Sequence, residues 1–154
     1  MKILLPVDGS ERALDAVRYA LRLRSEGLNA SFVLTSVQEP AFLYEVLLAP
    51  GSDVLERVSG AVGSRAMESA EAMFNAEGVA FEREIGSGDP ADTIVKTAER
   101  LQCDAIIISA RGLGALSGAL MGSVSQAVLH ASRLPVTIVK HVEGDADAGE
   151  GEAA

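Results

Sequence analysis

Short apolar runs alternate with stretches of helical spacing along nearly the whole chain, and that alternation narrows the possible folds more than any other feature. Lys2 to Val7, Ala30 to Val37, Val79 to Ile85, Asp104 to Ser109 and Val136 to Val139 read as strands. Between the first two, Leu14, Val17 and Leu21 recur at helical spacing, Ser10 stands where an N-cap belongs, and Gly27 ends the segment. Residues 38–52 contain Pro40, Pro50 and Gly51 and read as a loop with room for one turn of helix. Asp53 to about Ala76 is a long helix with Ala66, Ala70 and Met73 facing inward. Asp89 as N-cap, Pro90 at the first helical position and Asp92 in the first turn open the next helix. Its buried stripe is Ala91, Ile94, Val95, Ala98 and Leu101. Ser123 to about Ser132 is the last helix. Strands that alternate with helices in this way form a doubly wound parallel sheet with helices on both faces. Ligands of such sheets bind beyond the carboxyl ends of the strands, where the winding reverses.

Length and composition sharpen the picture. A chain of 154 residues is enough for one domain with a real core. Aromatic residues make up 4% and there is no Trp, so the core is expected to be aliphatic. Net charge is −9, and five acids (Glu143, Asp145, Asp147, Glu150 and Glu152) follow the last lysine, Lys140. Residues 1–141 are expected to form the domain. Residues 142–154 are an acidic low-complexity tail, too polar to pack and expected to be disordered. No basic patch suggests nucleic acid. Cys103 is the sole cysteine, which rules out an intrachain disulfide and fits a reducing cytoplasm. The opening MKILLPVDGS has an apolar stretch too short for a signal peptide, and no run approaches the ~20 residues of a membrane span. The expected location is the cytoplasm.

The chemistry concentrates after the fourth strand. Ser109 to Gly122, SARGLGALSGALMG, holds glycines at 112, 114, 118 and 122 between an apolar strand and a helix start. Glycine there lets the backbone approach a ligand closely, and the helix behind it aims free N–H groups at an anion. Asp8-Gly9-Ser10 turns the chain after strand one. With strands one and four adjacent, both segments line one crevice. Leu113, Leu116, Leu120 and Met121 are expected to tuck the loop onto the body.

Three segments resemble the universal stress protein family: VDGS from Val7, GDPADTIV from Gly88, and RGLGALSGALMGSVSQAVLHASRLPVTIVK from Arg111. The resemblance spans residues 1–140. It implies a five-stranded sheet of order 3-2-1-4-5 with the crevice between strands one and four. Members that hold ATP resemble the pattern Gly-x2-Gly-x9-Gly-Ser/Thr; here Gly112 and Gly122-Ser123 fill the later elements, and Ser109 stands in place of the first glycine. The implied ligand is ATP, with Mg²⁺, on Pro6, Val7, Asp8, Val37, Ser109, Arg111, Gly112, Gly122, Ser123, Val124 and Ser125. Asp8 would meet the adenosine part, or else merely cap the first helix. The backbone at Val37 would read the adenine edge. Gly112, Gly122 and Ser123 would present N–H groups, and Ser123 its hydroxyl, to phosphates, with Val124 and Ser125 adding groups from the first turn. The competing reading of the loop is a tight crossover only. Arg111 either pairs with a terminal phosphate or is solvated. Ser109 either burdens the site sterically or donates its hydroxyl to a phosphate. The family also tends to dimerise through strand five, here Val136, Thr137, Ile138 and Val139, a flat apolar edge without charge.

Catalytic constellations are missing from the sequence. Two isolated histidines, His130 and His141, and one cysteine make no transition-metal site. There is no Ser/His/Asp set and no Gly-x4-Gly-Lys-Ser/Thr loop. His130 complements the dipole at a helix end, and Cys103 reads as a core thiol. With no evident base to activate water, any ATP hydrolysis is expected to be slow. The leading reading is a cytosolic nucleotide-binding stress-response protein that acts by changing partners or assembly. The alternatives are a nucleotide-free dimeric interaction module of the same fold, and an enzyme such as a nucleotidyl transferase on a related fold. Against the last stands the lack of a second substrate domain.

Overall fold

Ile3, Leu4 and Leu5 are all buried, although neighbours along a strand face opposite ways. This first strand, β1 (Lys2–Pro6), therefore lies between two cores, and the computed structural model, which describes residues 1–39, 52–112 and 121–142, shows both. After β1 come α1 (Leu14–Ser25), β2 (Ser31–Gln38), α2 (Ser52–Ala76), β3 (Glu82–Ser87), α3 (Pro90–Arg100), β4 (Ala105–Ser109), α4 (Ser123–Ala131) and β5 (Val136–Val139). The five strands pair in parallel in the order β3-β2-β1-β4-β5, with Ile3 opposite Phe32 on one side and Ala105 on the other. The sheet order expected from the sequence is the one observed.

Alternate residues of the central strands feed different faces. Ile3, Leu5, Phe32, Leu34 and Ile107 pack with Val17 and Ala20 of α1 and Met67 and Phe74 of α2. Leu4, Val33, Ile106 and Ile108 pack with Ile94, Val95 and Ala98 of α3 and Val128 of α4. Burial on both faces is why these strands read as unbroken apolar runs rather than as alternating ones. Cys103 belongs to the second core, and burial raises its thiol pKa, as suits an inert core thiol.

Several details depart from the sequence reading. The core is not purely aliphatic: Phe74 meets Phe32 and Phe81 edge to face, with ring centroids 5.4 and 5.6 Å apart. The buried stripe of α2 is Gly63, Met67, Ala70 and Phe74, while Ala66 and Met73 sit at its half-buried flanks. Val79 does not open β3. Its N–H donates to Phe74 O at 2.9 Å, after Gly78 (φ 66°) has reversed the chain, so Val79 is the apolar residue that closes the end of α2. Ser10 caps a tight lead-in rather than the regular helix: its Oγ accepts the Ala13 N–H at 3.2 Å, and turns from Glu11 and Arg12 precede Leu14. At α3 the expectation holds, with Asp89 Oδ2 accepting the Asp92 N–H at 3.0 Å and Pro90 as the first helical residue. Three expectations fall on residues 40–51, on Leu113, Leu116 and Leu120, and on the tail from Glu143; all lie outside the described residues.

Candidate functional site

The sheet reverses its winding between β1 and β4, and there the segments that follow these two strands leave toward opposite faces. A cavity of about 240 Å³ opens at this point. Every site residue expected from the sequence lines it: Pro6, Val7 and Asp8 behind β1, Val37 on β2, Ser109, Arg111 and Gly112 behind β4, and Gly122, Ser123, Val124 and Ser125 at the start of α4. The sequence reading missed six further lining residues, Ala13, Thr35, Glu39, Pro90, Ile94 and Ile108. Pro90 and Ile94 lie in the GDPADTIV segment, whose apolar spacing signalled only a helix and a core. The signal for Thr35 was its place between Val33 and Val37, two residues from each along one face of the strand.

The Asp8 carboxylate holds the turn after β1 and borders the cavity. Oδ1 accepts the Ser10 N–H at 2.9 Å and the Ser10 hydroxyl at 2.5 Å. Gly9 allows the turn, with φ 86° and a hypothetical Cβ only 3.3 Å from Ala66 Cα of α2. The other face of the carboxylate packs on Gly112: a Cβ built there would run into Asp8 Oδ2. Gly112 is therefore glycine for lack of space, not for an unusual φ. It brings bare backbone against a carboxylate at the mouth of the cavity.

The Ser109 hydroxyl is committed to the start of α1. The residue is buried and its φ is not positive. Oγ donates to Ala13 O at 3.0 Å and accepts the Ala16 N–H at 3.1 Å. The serine thus satisfies one of the N–H groups that a helix N-terminus leaves unpaired, from a strand on the opposite side of the chain. Its own carbonyl accepts the Ser125 hydroxyl at 2.6 Å. Two serines therefore join β4, α1 and α4 beneath the cavity.

Gly122 also differs from expectation. Its N–H donates to Ala110 O, so it is not available to a ligand. Gly122 is the N-cap residue of α4 (φ −72°, ψ 160°), and its carbonyl accepts the Gln126 N–H at 3.1 Å. The N–H groups that open α4 are those of Ser123, Val124 and Ser125. Ser123 is exposed at this end, whereas Ser125 is buried with its hydroxyl committed to Ser109. No acid precedes this helix in its first turn to compete for an anion. Among the described residues, no group of three His, Cys, Asp or Glu side chains is placed to hold a metal.

The site therefore has two chemically distinct sides. Beside β2 and α3 the walls are Val37, Pro90, Ile94 and Ile108, which suit a flat apolar body. Beside β4 and α4 they are the backbone of Gly112, the first turn of α4 and the cationic Arg111, which suit an anion. Asp8 stands between, an acceptor for hydroxyl donors.

Comparison with known proteins gives a consistent result. The sequence model of the universal stress protein family matches residues 1–140. Universal stress protein MJ0531 of Methanocaldococcus jannaschii is 30% identical over 140 residues, covering 90% of this chain and 81% of that one. Among solved structures, the hypothetical protein MJ0577, the subject of a structure-based assignment of biochemical function, superimposes with a TM-score of 0.75 at 27% identity. That match covers 93% of this chain and 97% of the other. A universal stress protein solved in complex with cAMP superimposes with a TM-score of 0.65 at 25% identity, covering 90% and 96%.

Proposed function

Since the chain belongs to the universal stress protein family, we propose that its cavity holds an adenine nucleotide, ATP foremost, and that occupancy regulates assembly or partner binding. The observation that carries this reading is the pairing of Gly112 with Asp8. Bare backbone is pressed onto a carboxylate at the one place in the sheet where the winding reverses, and the N-terminus of α4 opens beside it. The residues present fit the ligand. Val37, Pro90, Ile94 and Ile108 offer a slot for a base; Asp8 can accept from ribose hydroxyls; Gly112, Ser123 and Val124 offer N–H groups to phosphates, and Arg111 offers charge. The similar protein solved with cAMP supports the ligand class. A Mg²⁺ ion accompanying ATP would be held through the phosphates, where it offsets their charge.

Ser109 supports the site from beneath the phosphates. Two copies are proposed to pair through the β5 edge, where Thr137 is exposed and Val136, Ile138 and Val139 are half-buried. The protein is proposed to act in the cytoplasm; among the described residues no helix is long and apolar enough to cross a membrane. The test is to denature the purified protein and identify any released nucleotide by mass, followed by calorimetry with ATP, AMP and cAMP. Binding of an adenine nucleotide with one site per chain supports the reading. A protein that carries none and binds none returns the fold to a nucleotide-free interaction module.

A further inference from the structure

Among the described residues, Thr35 Oγ1 is the one buried side-chain polar atom without a hydrogen-bond partner. Thr35 is fully buried, yet it lines the cavity. It lies opposite Pro6 in the β1–β2 pair, and its carbonyl accepts the Val7 N–H at 2.8 Å, which fixes the residue beside two other residues of the lining. Along β2 it shares a face with Val33 and Val37, the face covered by α3. Thr35 therefore stands on the apolar side of the cavity, whose lining also includes Ile94 and Ile108.

A buried hydroxyl with no partner costs stability, and valine would fill the same volume without a polar atom to satisfy. The hydroxyl makes sense where a ligand supplies the missing partner. We propose that Thr35 is a base-reading residue: its Oγ1 forms a hydrogen bond with the polar edge of the heterocycle seated against Val37, Ile94 and Ile108. This rests on the nucleotide reading above and adds a side-chain contact to the base. A hydroxyl both donates and accepts, so it meets either a ring nitrogen or an exocyclic amino group. Because the atom is closed to water-sized contact in the unliganded chain, engagement requires a small side-chain adjustment of the lining.

The experiment is calorimetric titration of the intact protein, Thr35→Val and Thr35→Ser with AMP and with ATP, together with melting curves of the unliganded proteins. Thr35→Val should weaken both nucleotides equally, by roughly fivefold, the worth of one ordinary hydrogen bond. Thr35→Ser should retain wild-type affinity. Unliganded Thr35→Val should melt at or above the wild-type temperature, since it loses an unpaired hydroxyl and keeps its shape. The proposal is overturned when the wild type binds and Thr35→Val binds as well, when the loss is confined to ATP, when Thr35→Ser loses as much as Thr35→Val, or when unliganded Thr35→Val melts several degrees lower. A wild-type protein that binds neither nucleotide overturns the nucleotide reading, and the base contact with it.

Discussion

Ser109→Gly would restore the family's glycine pattern, and its effect follows from two hydrogen bonds. The Ser109 hydroxyl donates to Ala13 O at 3.0 Å and accepts the Ala16 N–H at 3.1 Å, both in the buried start of α1. Removing it strips a helix N-terminus of a capping acceptor, a loss of about 1 kcal/mol and up to about 2. The extra backbone freedom of glycine at a strand end adds roughly 0.5–1 kcal/mol. The expected cost is therefore about 2 kcal/mol for Ser109→Gly and about 1–1.5 kcal/mol for Ser109→Ala. In a domain of this size each kcal/mol lowers the melting temperature by roughly 2–4 °C, so Ser109→Gly should melt about 4–8 °C lower and Ser109→Ala about 2–6 °C lower. Nucleotide affinity at a temperature where both variants are folded should change by less than about twofold, because the hydroxyl faces α1 and the serine is in an ordinary backbone conformation. Scanning calorimetry and isothermal titration read the two effects separately. Unchanged melting in Ser109→Ala, or ATP binding tightened by an order of magnitude in Ser109→Gly, would refute the assignment of Ser109 to the support of α1.

Two further outcomes follow from the site and the sheet edge. Gly112→Ala forces a Cβ into the Asp8 carboxylate and should lower ATP affinity by roughly tenfold or more in a protein that circular dichroism shows to be folded; affinity within twofold of wild type would remove Gly112 from the site. Ile138→Lys places a charge in the middle of the β5 edge and should shift the protein from dimer to monomer in light scattering over a dilution series. A wild-type protein that stays at 16.0 kDa at high concentration rules out the β5 dimer.

Much of the fold is written locally. The doubly buried strands advertise themselves as apolar runs such as Ala105 to Ile108, and the start of α3 is spelled by Asp89, Pro90 and Asp92 in direct succession. What escaped the sequence depends on contacts far along the chain. The stripe of α2 is hidden because one of its members is Gly63, packed on Ile85, which no hydrophobic pattern marks. Val79 looks like the start of a strand because an apolar residue after a helix-ending glycine and an apolar residue opening a strand have the same local signature. Eleven of the cavity residues were legible through the family resemblance, six were not, and none of their hydrogen bonds was. Nothing near Ser109 in the sequence announces Ala13 and Ala16 as its partners, and nothing near Gly122 announces that Ala110 takes its N–H. The same holds for Thr35, whose missing partner is visible only once the surrounding strands and helix are in place.

The most direct test of the account is an amide chemical-shift titration of isotopically labelled protein with ATP. The account predicts that the largest shifts fall on Asp8, Val37, Gly112, Ser123 and Val124, which come from separate elements and meet only at the cavity between β1 and β4. A spectrum unchanged by millimolar ATP, or shifts clustered on β3 and β5 at the outer edges of the sheet, would contradict it.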